Sequence, residues 1–416
     1  MSRPWIGGLA GLGVAAGWAS VHLMVRPGTG RLTATAPIAV GAGIASLAAA
    51  GGPIAPIAAL GSVGLGALGG WTAATYRAMR EPDRTPVPVA VLADAAPRRT
   101  AVVYFTHGEP STYEAEPWVN MLFELERTVP SFPPRPVWPF ILAGIKRSFD
   151  AVGRSPHCAI HAETMDAVAR AVGRGDLRWY VSFLDADPPL RSAIAQAVRE
   201  GATDLILLTV FLTDSDHTAE ADAMDQAMGL TRAGVRTVRT PVLWDDPRLA
   251  RMIADKVQRA AAGRDLRTVG VMLVGHGQPR QWDATHPTET QQEQQFRDDI
   301  RALLIADGFG RELVSDAWMS FRSPKVPDRV RELATRGATV VLGVPVTISA
   351  DSLHSLHDTP ELIRKGARGT ALEVVDVSGW NTEPLLVDIL ADRVRTALLS
   401  PALTGEHGSA PESPAV

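Results

Sequence analysis

Two apolar runs, far apart in the chain, end in the same way, and that recurrence constrains the fold more than any other feature. Val102-Val103-Tyr104-Phe105-Thr106 runs into His107-Gly108-Glu109-Pro110, and Val271-Met272-Leu273-Val274-Gly275 runs into His276-Gly277-Gln278-Pro279. A second element follows each. Gly201-Ala202-Thr203 leads through an apolar run to Asp214-Ser215-Asp216-His217, and Gly337-Ala338-Thr339 leads through another to Asp351-Ser352-Leu353-His354. Two elements repeated in one order mark an internal duplication.

From residue 99 onward, apolar runs alternate with amphipathic stretches, the pattern of β-α units around a parallel sheet. Strands are predicted at 101–106, 204–212, 269–275 and 339–347, and helices at 189–200, 247–262, 288–306 and 361–366. Pro189 stands where the first turn of a helix accepts proline. The expected fold class is α/β, with two similar Rossmann-like lobes on parallel sheets, 99–262 and 263–400. In such sheets ligands bind beyond the carboxyl ends of the strands, where His107, His217, His276 and His354 all stand. Facing lobes would point the four toward one cleft. Imidazole there can bind a transition metal or move a proton near neutral pH. The alternative is that each histidine caps its turn by hydrogen bonding.

The first eighty residues are of another kind. Pro4 to Val25 carries no Lys, Arg, Asp or Glu, and neither does the run from Leu32 to Tyr76. About 20 apolar residues suffice to cross a bilayer core. Gly51-Gly52-Pro53 divides the second run, so residues 1–80 read as a membrane segment of two to three transmembrane helices, at 4–25, 35–51 and 54–76. Three spans would put Arg26, Arg31, Arg77, Arg80 and Arg84 on one side, cytoplasmic by the positive-inside rule. The expectation is an inner (cytoplasmic) membrane protein whose remainder faces the cytoplasm. A cleaved signal peptide is the alternative for the first run. Residues 81–98, punctuated by Pro82, Pro86, Pro88 and Pro97, read as a linker, and 401–416 as a disordered tail. The single cysteine, Cys158, excludes a disulfide framework and a Cys-based zinc or iron–sulfur site. With 41 Lys+Arg against 45 Asp+Glu, the chain lacks the basic balance of a general nucleic-acid binder.

These residues resemble the ferrochelatase family and its type II chelatase relatives, in order, over nearly all of 99–400. Val274-Gly275-His276-Gly277-Gln278-Pro279 resembles the family's Ser-Ala-His-x-Leu-Pro segment, whose histidine is the central active-site residue. Gly153-Arg154-Ser155-Pro156 resembles a Gly-Gly-x-Ser-Pro stretch near the porphyrin cleft, and Trp244-Asp245-Asp246-Pro247 the segment before a long helix. Trp318-Met319-Ser320-Phe321-Arg322 resembles the Trp/Tyr-x-Ser segment that lines the pocket. Val344-Pro345-Val346, leading to His354 and Asp358, is similar to the signature Pro-x-x-Phe-x-x-Asp-x-x-Glu-x-Leu-x-Asp, with Asp351, Leu356 and Asp358 at its spacing. Two departures stand out. The signature glutamate, which faces the histidine, is His354 here, and His107 stands where the family's first strand ends in Leu-Gly-x-Pro or Tyr-Gly-x-Pro. A histidine pair in place of histidine and glutamate resembles the anaerobic cobalt chelatases.

The resemblance implies a chelatase that inserts a divalent metal into a porphyrin-type tetrapyrrole, and the apolar N-terminal runs make the expected enzyme membrane-anchored. The metal, Fe2+ first with Co2+ or Ni2+ as alternatives, would be a substrate, and no tightly bound cofactor is expected. His276 and His354 would be catalytic, and His276, His354 and His107 would touch the metal. His107, Ser155, Trp318, Ser320 and Arg322 would contact the ring, His107 from the opposite face. Residue chemistry suggests the roles. Insertion removes two pyrrole N–H protons, which His276, with an ordinary pKa of about 6.5, is expected to accept. Neutral His354 is expected to hold the metal, with Asp351 and Asp358 orienting the rings.

Other residues carry weaker signals. His157 and His161 flank Cys158 at i, i+4 spacing, as metal ligands or as a structural helix start. Trp282 and Trp318 either stack on a macrocycle or sit in the core. Arg280 and Arg322 pair with propionates or are solvated. Two other functions fit the same histidines: a non-catalytic heme or tetrapyrrole carrier or sensor, and a metal-ion carrier that needs no macrocycle.

Overall fold

The computed structural model describes residues 4–27, 55–81, 87–90 and 98–404. The chain divides into two compact units, one of Met1–Arg84 with Thr112–Arg154, the other of Thr85–Ser111 with Ser155–Val416. Residues 112–154, expected within the first lobe, therefore group with the N-terminal helices.

The smaller unit is helical. It holds α1 (Pro4–Val25), α2 (Ala55–Ala78), α3 (Ala115–Thr128) and α4 (Trp138–Val152). Glycine sets the approach of α1 to α2. A Cβ on Gly13 or Gly17 would fall 2.3 or 2.1 Å from the carbonyl oxygens of Val63 and Ala67, and one on Gly66 or Gly70 would fall 2.2 or 2.1 Å from those of Ala10 and Val14. Spaced four apart on both helices, these residues give each a flat face for close packing. Val21, Ala74, Leu122, Phe123, Trp138 and Leu142 form the unit's core. The buried Lys146 ammonium donates to the carbonyls of Arg26 at 2.7 Å and Leu23 at 3.3 Å, at the negative end of α1.

The spans expected at 4–25 and 54–76 are thus helices, but no helix among the described residues is long and apolar enough to cross a membrane. The expectation of transmembrane helices at 4–25 and 54–76 therefore finds no support in the described helices. The span expected at 35–51 lies outside the described residues, as do much of the expected linker and residues 405–416 of the expected tail.

The larger unit carries two parallel sheets of the same layout. In the first, β1 (Thr100–Thr106), β2 (Arg178–Phe183), β3 (Asp204–Thr209) and β4 (Arg236–Arg239) take the spatial order β2-β1-β3-β4. In the second, β5 (Val269–Gly275), β6 (Val314–Trp318), β7 (Val340–Pro345) and β8 (Glu373–Asp376) take the order β6-β5-β7-β8. The duplication read from the motifs is a duplication of topology. Helices α5 (His157–Val172), α6 (Leu190–Arg199), α7 (Asp216–Met228) and α8 (Pro247–Ala260) belong to the first lobe. The second has α9 (Glu289–Ala306), α10 (Val326–Thr335), α11 (Thr359–Ala367) and α12 (Pro384–Leu398).

The central strands are buried on both faces, and the pleat sends alternate side chains to different cores. Val102, Tyr104, Ile206 and Leu208 join Val271, Leu273, Leu342 and Val344 in one core, closed by Leu390 and Val394 of α12. Val103, Phe105 and Leu207 pack the other way, onto Ala193 and Ile194 of α6. Met272, Val274 and Val341 pack onto Val326, Val330 and Ile363. Because the first core runs through both lobes, the ends of the two sheets keep a fixed relation.

Candidate active site

His276 stands just beyond the carboxyl end of β5, where the chain must turn at once. Gly277 makes that turn at φ +78°, a left-handed conformation that costs glycine nothing. A Cβ there would also press to 3.0 Å from both the Ser320 carbonyl oxygen and the Trp318 ring. His276 Nδ1 lies 2.8 Å from the Gly277 carbonyl oxygen. A carbonyl only accepts, so Nδ1 carries the hydrogen and Nε2 the lone pair. His354 opens a π-helical turn, His354–Asp358, that leads from the β7 loop into α11. Its Nδ1 lies 2.8 Å from Asp358 Oδ2, and His357 Nδ1 lies 3.1 Å from Asp358 Oδ1. The His276 and His354 ring centres are 5.1 Å apart.

The two rings hold protons differently. Burial, and then the neighbouring charge of His354, presses His276 down to about 3, so it is neutral at pH 7. Burial also acts against charge on His354, but the hydrogen bond and charge of Asp358, helped by Glu109, outweigh it and raise its pKa. Asp358 responds in the opposite sense: burial would raise it, and the two histidines beside it hold it down. The expectation of a neutral His354 therefore changes. The ring that carries a proton near neutrality is His354, because the carboxylates gather on its side of the cleft. A metal ion bound at His354 would have to displace that proton, so such uptake would strengthen as pH rises through the raised pKa. Asp358→Asn removes the largest upward influence on it. The rising limb of Co2+ uptake against pH should then move to lower pH, and an unmoved limb would exclude His354 as the titrating group.

Glu109 is a site residue that sequence reasoning did not single out. It lies in the turn after β1, yet its buried carboxylate reaches the second lobe. Oε1 and Oε2 accept from the Leu353 N–H at 3.0 and 3.3 Å, one residue before His354. Burial raises its pKa, against a hydrogen bond from Ser155 and the charge of His354. The signal available in sequence was the repeat itself, in which Glu109 takes the place held by the neutral Gln278.

The remaining expected residues divide. Ser320 lines a pocket of about 360 Å³ together with His354, His357, Asp358, Glu361 and Lys365. Ser155 is buried; it supports Glu109 and accepts from the His157 N–H at 3.3 Å. Trp318 is not a stacking platform, because its buried ring lies under the Arg297 guanidinium, 3.8 Å from its carbon, and against Gly277. Arg322 holds the His276 loop, donating from Nε to the Gln278 carbonyl and from Nη1 to Asp283, each at 2.9 Å. Asp351 orients no histidine through a hydrogen bond. It accepts from Ser355 Oγ at 2.9 Å and from the Gly379 N–H and Asn381 Nδ2 at 2.8 Å each, which ties the π turn to the loop after β8.

His107 stands in the first lobe against His217, with ring centres 4.9 Å apart. Burial leads in holding both low, His217 at about 4. The charge of His276 also bears on His107, so both lobes contribute to one electrostatic environment. Cys158 and His161 are structural. Burial pushes the thiol up to about 11, and it donates to the Glu109 carbonyl at 3.1 Å. His161 is held between Tyr104 Oη at 2.8 Å and Ser349 Oγ at 3.2 Å. Among the described residues, no three His, Cys, Asp or Glu side chains form a ready-made metal cage.

Residues 99–398 match the ferrochelatase family model. The chain is similar to the ferrochelatase of Geotalea uraniireducens, 25% identical over 325 residues that cover 73% of this chain and 99% of that protein. It is also similar to the sirohydrochlorin cobaltochelatase of Methanothermobacter thermautotrophicus, 26% identical over 149 residues, 31% of this chain and 93% of that protein. Among solved structures, SirB from Bacillus subtilis with Fe3+ aligns over 72% of this chain and 95% of that one, with a TM-score of 0.47 and 12% identity.

Proposed function

The chain belongs to the ferrochelatase family of metal chelatases, and from that premise we propose that it inserts Fe2+ into a porphyrin at the cleft beside His276 and His354. The observation that carries this reading is the histidine pair itself. One ring offers a lone pair at neutral pH and the other a displaceable proton, 5.1 Å apart.

Insertion exchanges two pyrrole protons for one dication. With Nδ1 committed to the Gly277 carbonyl, His276 accepts at Nε2. Burial holds its pKa low, so the ring is neutral at pH 7 and its Nε2 lone pair is free to accept. His354 keeps its Nδ1 contact to Asp358 while the dication displaces the proton from its other nitrogen. Asp358 and Glu109 supply negative charge against the incoming ion, the part that a glutamate facing the histidine would otherwise play. The pocket beside His354, about 360 Å³, is at the small end for an organic ligand and suits the approach of a hydrated ion. Ser320 is then placed at the ion's approach, and His107 faces the ring from the first lobe.

A second reading, Co2+ insertion into a sirohydrochlorin-type ring, is favoured by the imidazole at residue 354. Two imidazoles suit later first-row metals better than an imidazole and a carboxylate do, and one relative is a sirohydrochlorin cobaltochelatase. The test mixes the purified protein anaerobically with protoporphyrin, coproporphyrin or sirohydrochlorin and each of Fe2+, Co2+, Ni2+ and Zn2+, following ring absorbance. Multiple turnovers with a porphyrin and Fe2+ are expected. Turnover confined to sirohydrochlorin and Co2+ selects the second reading. Stoichiometric binding without turnover for every combination rejects both and leaves a carrier.

A further inference from the structure

His107 and His217 stand in the first lobe where His276 and His354 stand in the second. His107 follows β1 as His276 follows β5, and His217 follows β3 as His354 follows β7, in sheets of the same strand order. The likeness extends to distance: the ring centres are 4.9 Å apart in one pair and 5.1 Å in the other. Phe211 packs against the His107 ring at 4.9 Å and Trp282 against the His217 ring at 5.9 Å, which fixes both planes.

The first-lobe pair is the less encumbered of the two. His276 and His354 each commit Nδ1 to a neighbour. Among the described residues, no hydrogen bond occupies a ring nitrogen of His107 or His217. Burial keeps both rings neutral at pH 7, so a metal ion meets lone pairs rather than protons. Both residues are partly exposed. Two ligands from the protein leave further positions for water, the arrangement of an ion that is loaded and later handed on.

We propose that His107 and His217 form a second divalent-metal site, which takes late first-row ions such as Co2+, Ni2+, Zn2+ or Fe2+ and gives the chain two metal positions, one in each lobe. Imidazole nitrogen selects these ions over Mg2+ and Ca2+, which prefer oxygen. The inference rests on the geometry of the first lobe and not on the chelatase reading, so the two can fail separately.

The test is the stoichiometry of Co2+ binding to the full chain without any tetrapyrrole, by anaerobic calorimetry and by the visible d–d bands. Wild type should take two equivalents, and Mg2+ none. His217→Asn should take one, and so should the double variant His276→Asn/His354→Asn. The triple variant should take none. Circular dichroism confirms the fold of each. One equivalent in wild type that a folded His217→Asn protein keeps overturns the proposal, and so does a folded His217→Asn protein that still takes two. Two equivalents with no ring metallated would keep this site and reject the chelatase reading.

Discussion

Metal insertion by the His276→Ala protein falls ~10²- to 10⁴-fold in kcat/KM, the range seen when a positioned general acid–base group is removed. The substitution is well placed for a clean reading. The main-chain turn is held by the His276 N–H to Thr347 Oγ1 at 3.2 Å and by the Ser320 N–H to the His276 carbonyl at 3.1 Å, and neither contact uses the imidazole. Tetrapyrrole binding, read by quenching of ring fluorescence, should therefore persist while turnover is lost. The paired variant His354→Ala should differ in kind, raising the KM for metal more than it lowers kcat, if His354 holds the ion as proposed. A loss below about threefold in His276→Ala would remove this histidine from the chemistry.

Arg297→Ala should destabilise the larger unit by about 3–5 kcal/mol, the usual cost of removing one partner from a buried charge pair. Arg297 on α9 is fully buried. It donates to the Ala317 carbonyl at 3.3 Å and to Gln294 at 3.0 Å, and it lies 3.6 Å from Asp316 and 3.9 Å from Glu293. Burial already pushes Glu293 up to about 8. Without the guanidinium, Asp316 would lose one of its compensating charges, and the Trp318 ring would lose the cation over its face. The damage should reach the site, because Glu293 Oε1 lies where a Cβ on Gly275 would come within 1.8 Å of it, one residue before His276. Urea unfolding followed by far-UV circular dichroism measures the loss. Arg297→Met fills the space without the charge and should unfold at higher urea than Arg297→Ala. Equal stabilities for wild type and Arg297→Ala would mean that the buried charge contributes nothing net.

The central strands were legible because they are buried on both faces and so read as unbroken apolar runs. β1, β3, β5 and β7 fall where those runs predict them. The flanking strands were not. Arg236–Arg239 and Glu373–Asp376 are four residues each, charged at both ends, and partly exposed. They are strands because a neighbour offers unpaired backbone groups, which no local pattern records. The same limit explains the N-terminal helices. Their apolar length could be read from sequence, but the partner that their glycines fit could not.

At the site, sequence alone placed His276, His354 and Asp358, because each follows a strand end or sits at a spacing that a helical turn brings together. It also placed His107 and His217, through the repeat. What it could not determine was protonation, since that depends on groups brought near by the fold. Glu109 reaches His354 only because the two lobes share a core, and it acts from the far side of the chain. Asp351 shows the reverse: its spacing from His354 suggested an orienting carboxylate, yet Gly379 and Asn381 claim its oxygens. Local order thus determined which side chains stand at the cleft. Only the tertiary structure decided which histidine carries the proton, because that balance is set by burial and by charges distant in sequence.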